Sequence, residues 1–324
     1  MTDTSSGPLH GLRIVDISTV VAGPFAAGLL GDYGAEIIKV EIPGVGDSLR
    51  ALAPHKDGTP LWWKVTNRNK KGVTLDLRQA EGRALFGKLI ADADVLVENF
   101  RPGVMPRLGL DYERLKAVNP RLVYASISGM GADGPDKDLG AFDLTIQAIG
   151  GYMSITGERG GAPIKLGTSA FDMIAGMNCQ TAVLAALLQR ATTGAGQKVE
   201  TSLLEGEVAF LANAGLEYLL TGKNPQKWGS EHAQQVPYKA FQTADGWAII
   251  GAGYQNIWMS FLGVIGREDL QQDPRFADLA GRVTHRDALY EILDAEVRKH
   301  GTSELLARLD AAKVPCAPVN NMEQ

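Results

Sequence analysis

Apolar residues fall in short blocks along the first half of the chain, and stretches of helical spacing separate them. Residues 12–17 (LRIVDI) form a compact run of the kind left by a parallel strand buried on both faces. A turn follows (STVVAGP), and Pro24 suits the first helical position, where a missing N–H costs nothing. A helix is expected from there to about Tyr33, with Gly34 as its stop. Residues 35–41 (AEIIKVE), 73–77 (VTLDL), 94–98 (DVLVE) and 122–128 (LVYASIS) read as further strands, with a helix near 79–91. This alternation predicts an α/β fold built on a doubly wound parallel sheet.

Beyond Gly129 the chain turns polar and glycine-rich (GMGADGPDKDLG). A long helix is expected over 172–189, ended by TTGAG, and a second over 203–220. Residues 221–236 read as a linker. Asp245-Gly246 between two β-like runs is a hairpin signal. From Tyr254 onward the pattern is mostly helical. The expected organisation is a large domain with linker helices over 1–225 and a smaller α+β domain over 226–324, without internal repeats.

Composition narrows the class. A length of 324 residues allows about two domains at roughly 150 residues each. Hydrophobic residues make up 45%, enough for a packed core and too many for a disordered chain. With 32 basic and 37 acidic residues the net charge is −5, which argues against a nucleic-acid partner. The two cysteines, Cys179 and Cys316, make no disulfide framework or zinc site. The five scattered histidines show no metal-binding spacing. No basic and apolar leader opens the sequence, and no unbroken apolar run reaches the ~18 residues of a membrane span. The expectation is a cytoplasmic α/β enzyme with no metal and no membrane partner.

Four features carry candidate chemistry. The strand–turn–helix start is an anion site in principle, because free N–H groups and the helix dipole face outward there. It reads VVAGP where a dinucleotide-binding enzyme shows G-x-G-x-x-G, and Glu41 at the next strand end is a ribose ligand or simply a solvated carboxylate. Lys39, Arg50, Arg68, Lys70, Lys71, Arg78, Arg101 and Arg107 form either a solvated face or a polyphosphate site. Asp172 opens the long helix, where it serves as an N-cap or as an ionised carboxylate nucleophile kept charged by the dipole. Gly251-Ala252-Gly253 follows a predicted strand and is an ordinary strand-end loop or a flexible loop near a reacting centre.

Taken in order, PLHGLRIVDIS, AGPFAAGLLGDYGAEIIKVE, GDSLR, NRNKKGVTLDL, DVLVENFRPG, NPRLVYASISGMG, APIKLGTSAFDMIAG and TGAGQKVETSLLE run through nearly the whole chain. Together they resemble the family III CoA-transferases of the CaiB/BaiF type, the group that includes formyl-CoA transferase and the α-methylacyl-CoA racemases. WGSEHAQQVPYKAFQTADGWAIIGAG and the closing PVNNMEQ look most like members that use succinyl-CoA and other short dicarboxylates.

The resemblance implies a Rossmann-like large domain, a small α+β domain, and interlocked homodimers. It implies transfer of CoA from an acyl-CoA donor to a small carboxylic acid, with CoA as substrate and no permanently bound cofactor. Asp172 matches the family's nucleophile. The CoA site maps onto Thr19, Val20, Val21 and Ala22 in the first turn, then Leu75, Arg78, Asn99, Phe100 and Arg107. The loop that closes over the intermediate maps onto Gly251, Ala252 and Gly253. There are departures. Ile42 and Gly140 stand where formyl-CoA transferase carries basic residues, and Phe142 stands where the racemases carry a histidine. Phenylalanine cannot exchange a proton, so the resemblance favours transfer over racemisation. Family members continue with a segment that returns to the large domain. The sequence ends at Gln324 without it, which implies a truncated chain and leaves a CoA-binding fragment as an alternative.

Overall fold

The computed structural model describes residues 7–324. They fold into two compact units. One runs to Ser154 and resumes over Lys165–Pro225, and the other combines Ile155–Ile164 with Gln226–Gln324.

The first unit is built on six strands: β1 (Arg13–Asp16), β2 (Glu36–Glu41), β3 (Lys70–Thr74), β4 (Val95–Glu98), β5 (Val123–Ser128) and β6 (Lys198–Ser202). They form one sheet in the order β3-β2-β1-β4-β5-β6, and every pairing is parallel. Ile14 lies opposite Ile37 on one side and Val95 on the other. Successive residues face opposite ways, as strand geometry requires. Ile14, Val95, Val97 and Ala125 enter a core with helices α1 (Ala22–Asp32) and α4 (Ala170–Thr193). Val15, Leu96 and Tyr124 enter a second core with Phe86 and Ile90 of α2 (Ala80–Ala91). Two faces covered by helices explain the unbroken apolar runs of the inner strands. Helices α3 (Asp143–Ile149) and α5 (Leu203–Thr221) complete the elements used below.

The structure shifts several expected boundaries. The third strand is Lys70–Thr74 rather than 73–77. The apolar residues of VTLDL lie partly beyond the strand, whereas Lys70 is a strand residue whose ammonium turns inward to Asp16. Strand β6 was not anticipated, because KVETS at the sheet edge has no apolar run. Helix α4 spans 24 residues and, among the described residues, is the one helix long and apolar enough by composition to cross a membrane. Asn178, Gln180 and Thr181 interrupt any unbroken apolar run in it. Its stripe Phe171, Ala175, Cys179, Val183 and Ala186 is buried in the core. On the same face Arg190 pairs with Asp94 at 2.8 Å.

The second unit has its own core around an antiparallel sheet: β7 (Tyr238–Gln242), β8 (Trp247–Gly251) and β9 (Cys316–Pro318). Asp245-Gly246 makes the hairpin the sequence predicts. Helices Gln255–Ile265, Arg286–Val297 and Thr302–Ala311 pack their apolar stripes on it. The excursion Ile155–Ile164 is fastened through Arg159, which pairs with Asp287 at 2.8 Å and lies 4.7 Å over the Trp228 ring. Arg286 lies over the same ring at 4.1 Å.

Candidate active site

Strands β1 and β4 are neighbours from which the chain leaves toward opposite edges of the sheet. In open α/β sheets the crevice at the carboxyl ends of such a pair is where ligands bind. The residues that follow the two strands are joined directly. Thr19 N–H donates to Asn99 Oδ1 at 2.8 Å, and Asn99 Nδ2 donates to the Thr19 carbonyl at 2.8 Å. Val20, next in the turn, has φ +67°. Its N–H is held by both oxygens of Asp47, at 3.2 and 3.1 Å.

A buried charge cluster lies beneath the turn. Asp16 is fully buried and accepts from Lys70 Nζ at 2.9 Å, with Lys39 Nζ 3.3 Å away. Burial opposes ionisation of Asp16, but the two ammonium groups bring it down to about 2. Burial pulls Lys70 down to about 8 against the attraction of Asp16. Lys70 also donates to the Pro24 carbonyl at 2.7 Å and to Asn67 Oδ1 at 3.0 Å, so helix α1 and the 67–70 segment meet on one ammonium.

Outside the turn is a cavity of about 310 Å3 lined by Thr19, Ile42, Leu75, Arg78 and Phe100. Four residues assigned from the sequence to CoA binding thus surround one space, and Asn99 is tied to it through Thr19. Val21 and Ala22 are buried at the helix start and contribute backbone there. Phe100 also borders a second cavity of about 580 Å3, which Arg107, Arg101 and Lys137 line. Arg78 is not a free cation: it holds Asp76 with two bonds, at 2.8 and 2.9 Å. Arg101 fills the space over Gly140, where a Cβ would stand 2.8 Å from its Nη2.

Asp172 is the third residue of α4, and the N-cap is Ser169, whose side chain makes no capping bond. The capping role, one of the two readings of Asp172, falls to Asp143 of α3. Its Oδ1 accepts from Phe171 N–H at 2.7 Å and Asp172 N–H at 3.3 Å. Gln147 Nε2 donates to the other oxygen. Among the described residues no hydrogen bond or ion pair holds the part-buried Asp172 carboxylate. Burial and the Asp143 charge push it up to about 7, so the expectation of a carboxylate kept charged by the helix dipole is corrected. The N–H groups at the helix start are engaged as well: Ala170 donates to the Thr168 carbonyl and Met173 to that of Ser169.

Glu207 of α5 is the third carboxylate of the group. It is buried, accepts from Tyr152 N–H at 3.2 Å, and among the described residues has an Oε2 without a partner. Burial pushes it up to about 7. Sequence reading missed Asp143 and Glu207. Asp143 directly follows the Phe142 landmark, and that adjacency was the available signal; Glu207 looks like any helix position. One turn beyond Asp172, Gly176 lies against the entrance of α1, where a Cβ would be 2.8 Å from the Ala22 carbonyl. Helix α4 and the crevice turn are thereby packed together.

Gly251-Ala252-Gly253 lies in the second unit. Gly251 N–H donates to the Pro315 carbonyl at 2.9 Å and Ala252 N–H to the Pro237 carbonyl at 2.8 Å. The Gly253 carbonyl accepts from Arg282 Nη2 at 2.8 Å. Arg282 is fully buried, and its other partners are neutral: the Val236 carbonyl at 2.8 Å, Gln255 Oε1 at 2.8 Å and the Phe276 carbonyl at 3.2 Å. Burial lowers its pKa from the usual arginine value. Arg282→Met strands these acceptors and is expected to cost roughly 3 kcal/mol by urea unfolding. Faster exchange of the Ala252 amide should accompany the loss.

Comparison with known proteins identifies the class. The model of CoA-transferase family III matches residues 9–324, and the chain belongs to that family. The chain is 37% identical over 324 residues to succinate–glutarate CoA-transferase of Agrobacterium fabrum, covering 98% of this chain and 81% of that protein. It is 38% identical to acetyl-CoA:oxalate CoA-transferase of Acetobacter aceti, covering 98% and 83%. A solved CaiB/BaiF family protein from Brucella suis superposes with a TM-score of 0.89 at 37% identity, over 98% of this chain and 85% of that one. The protein is therefore a transferase that moves CoA between acids.

Proposed function

We propose that the protein transfers CoA from a short dicarboxyl-CoA, succinyl-CoA foremost, to a free carboxylic acid through an aspartyl-CoA thioester on Asp172. The Asp172 carboxylate carries this reading: part-buried, in the first turn of α4, and without a bonding partner among the described residues. One carboxylate oxygen attacks the donor thioester carbonyl, the C–S bond breaks, and CoA thiolate leaves a mixed anhydride. The thiolate attacks the aspartyl carbonyl, the anhydride C–O bond breaks, and the donor acid departs as its carboxylate. The acceptor carboxylate then reverses these steps and frees Asp172. No net proton or electron is exchanged.

Each tetrahedral intermediate needs donors for its oxyanion. The helix-start N–H groups have partners already, so stabilisation from them requires local rearrangement. Thr19, Leu75, Arg78, Asn99 and Phe100 position CoA, with Arg107 reaching its phosphates. Succinate and glutarate in the name of the Agrobacterium relative support the dicarboxylate class. Phe142, 70% exposed and unable to carry a proton, supports transfer over racemisation. Val208, Phe210, Leu216, Leu219 and Leu220 on α5 are exposed, which supports a homodimer in which a second copy covers them. The test is isotope exchange between labelled succinate and succinyl-CoA, followed by a panel of carboxylic acids with CoA esters read by mass spectrometry. Exchange is expected; none with any donor overturns the reading.

A further inference from the structure

Val20 is the strained point of the turn between β1 and α1. At φ +67° a β-branched side chain crowds its own backbone, and such a conformation persists only where neighbours over-determine it. Asn99 grips the preceding residue by its N–H and its carbonyl. On Val20 itself the restraint is Asp47. That carboxylate is 1% exposed, and its position is fixed from two directions. Asp47 N–H donates to Glu41 Oε1 at 2.8 Å, and Oδ1 accepts from Leu49 N–H at 2.9 Å. Glu41 is paired in turn with Arg50, which lies 3.8 Å over the Trp63 ring. Lys39, 4.0 Å from Oδ2, is the cation facing it.

We propose that Asp47 is a positioning residue for acyl-CoA, holding Val20 in the left-handed turn so that the rim of the Thr19–Leu75–Arg78–Phe100 cavity is set before the ligand arrives. The proposal rests on the reading of that cavity as the acyl-CoA site. Asp47 acts through the backbone of Val20, so positions 47 and 20 are coupled in a particular way. Glycine and asparagine adopt positive φ at little cost, whereas isoleucine meets the same crowding as valine. Without Asp47, Gly or Asn at position 20 keeps the turn and Ile does not.

The experiment combines amide hydrogen exchange with CoA affinity by calorimetry. In Asp47→Ala the Val20 amide is expected to exchange at least 100-fold faster while Ile14 and Val15 stay protected, and CoA affinity to fall at least tenfold. Adding Val20→Gly or Val20→Asn should recover at least threefold of that affinity, and Val20→Ile none. A Val20 amide as protected as in the wild type, or equal affinity across the Gly, Asn and Ile series, overturns the proposal. Unchanged affinity in Asp47→Ala beside a weakened Phe100→Ala overturns it alone. Unchanged affinity in both overturns the assignment of the cavity. Should Asp47→Ala not fold, the same series is read on Asp47→Asn, which keeps the side-chain volume and one acceptor.

Discussion

Asp172→Ala is expected to abolish CoA transfer, lowering kcat by roughly a thousandfold or more, while CoA affinity stays within about threefold of the wild type. On the proposed route the substitution removes the nucleophile and leaves the proposed CoA crevice untouched. Mass spectrometry of the protein quenched during turnover should find CoA on the peptide carrying Asp172 in the wild type alone; transfer retained by the alanine variant sinks the covalent route. The pH dependence follows from the same group. Attack needs the ionised carboxylate, and burial with the Asp143 charge pushes Asp172 up to about 7, so the rate should fall as pH drops through about 7. Asp143→Asn removes that charge, keeps an acceptor for the two α4 N–H groups and loses the contact with Gln147; the inflection should move down. The sign for stability is opposite to that for rate. A carboxyl whose folded pKa is raised favours its protonated form, and the stability it lends is lost as pH rises from about 4 through about 7. Asp172→Ala should therefore unfold at higher urea than the wild type at pH 8, a stability–activity conflict expected of a functional group.

Asp16→Ala should have the largest effect on stability. It leaves Lys39 and Lys70 in the interior without their shared counter-ion, and breaking a buried pair in this way typically costs about 3–5 kcal/mol. Urea unfolding at pH 7 measures the loss, and a change within about 1 kcal/mol would show that the cluster relaxes or hydrates instead. Asp16 also sets an acid limit. Its folded value of about 2 lies below the ordinary 3.8, so its contribution is complete above about pH 4 and is lost as pH falls toward 2. The wild type should weaken across that window, and Asp16→Ala should weaken less.

The parallel sheet was legible because its inner strands are covered on both faces and must be apolar throughout. Strand β6 escaped because its KVETS sequence lies at the sheet edge, where alternate polar residues are tolerated. The start of the third strand was misplaced for a related reason: Lys70 reads as surface in a sequence and is an interior ion-pair partner in the fold. Among the candidate site residues, Thr19, Leu75, Arg78 and Phe100 converge on one cavity because the loops that carry them leave neighbouring strand ends. Asp172 was found through the motif around it. Its cap and its charge state were not, because both depend on Asp143, 29 residues earlier in the chain, and on burial. Nor does a sequence reveal that the Arg78 guanidinium is already held by Asp76.

The excursion Ile155–Ile164 means that the polypeptide crosses between the two units at three places: after Ser154, before Lys165 and after Pro225. A protease that cuts once in the 221–226 connection frees residues 226–324 as a separate polypeptide and leaves their Ile155–Ile164 loop covalently attached to the other unit. A fragment begun at Gln226 would lack Arg159, so Asp287 would lose a partner and Trp228 would keep one guanidinium in place of two. A single incision therefore releases neither unit whole: the second must have that ten-residue loop grafted back, and the first must have it excised and Ser154 joined to Lys165.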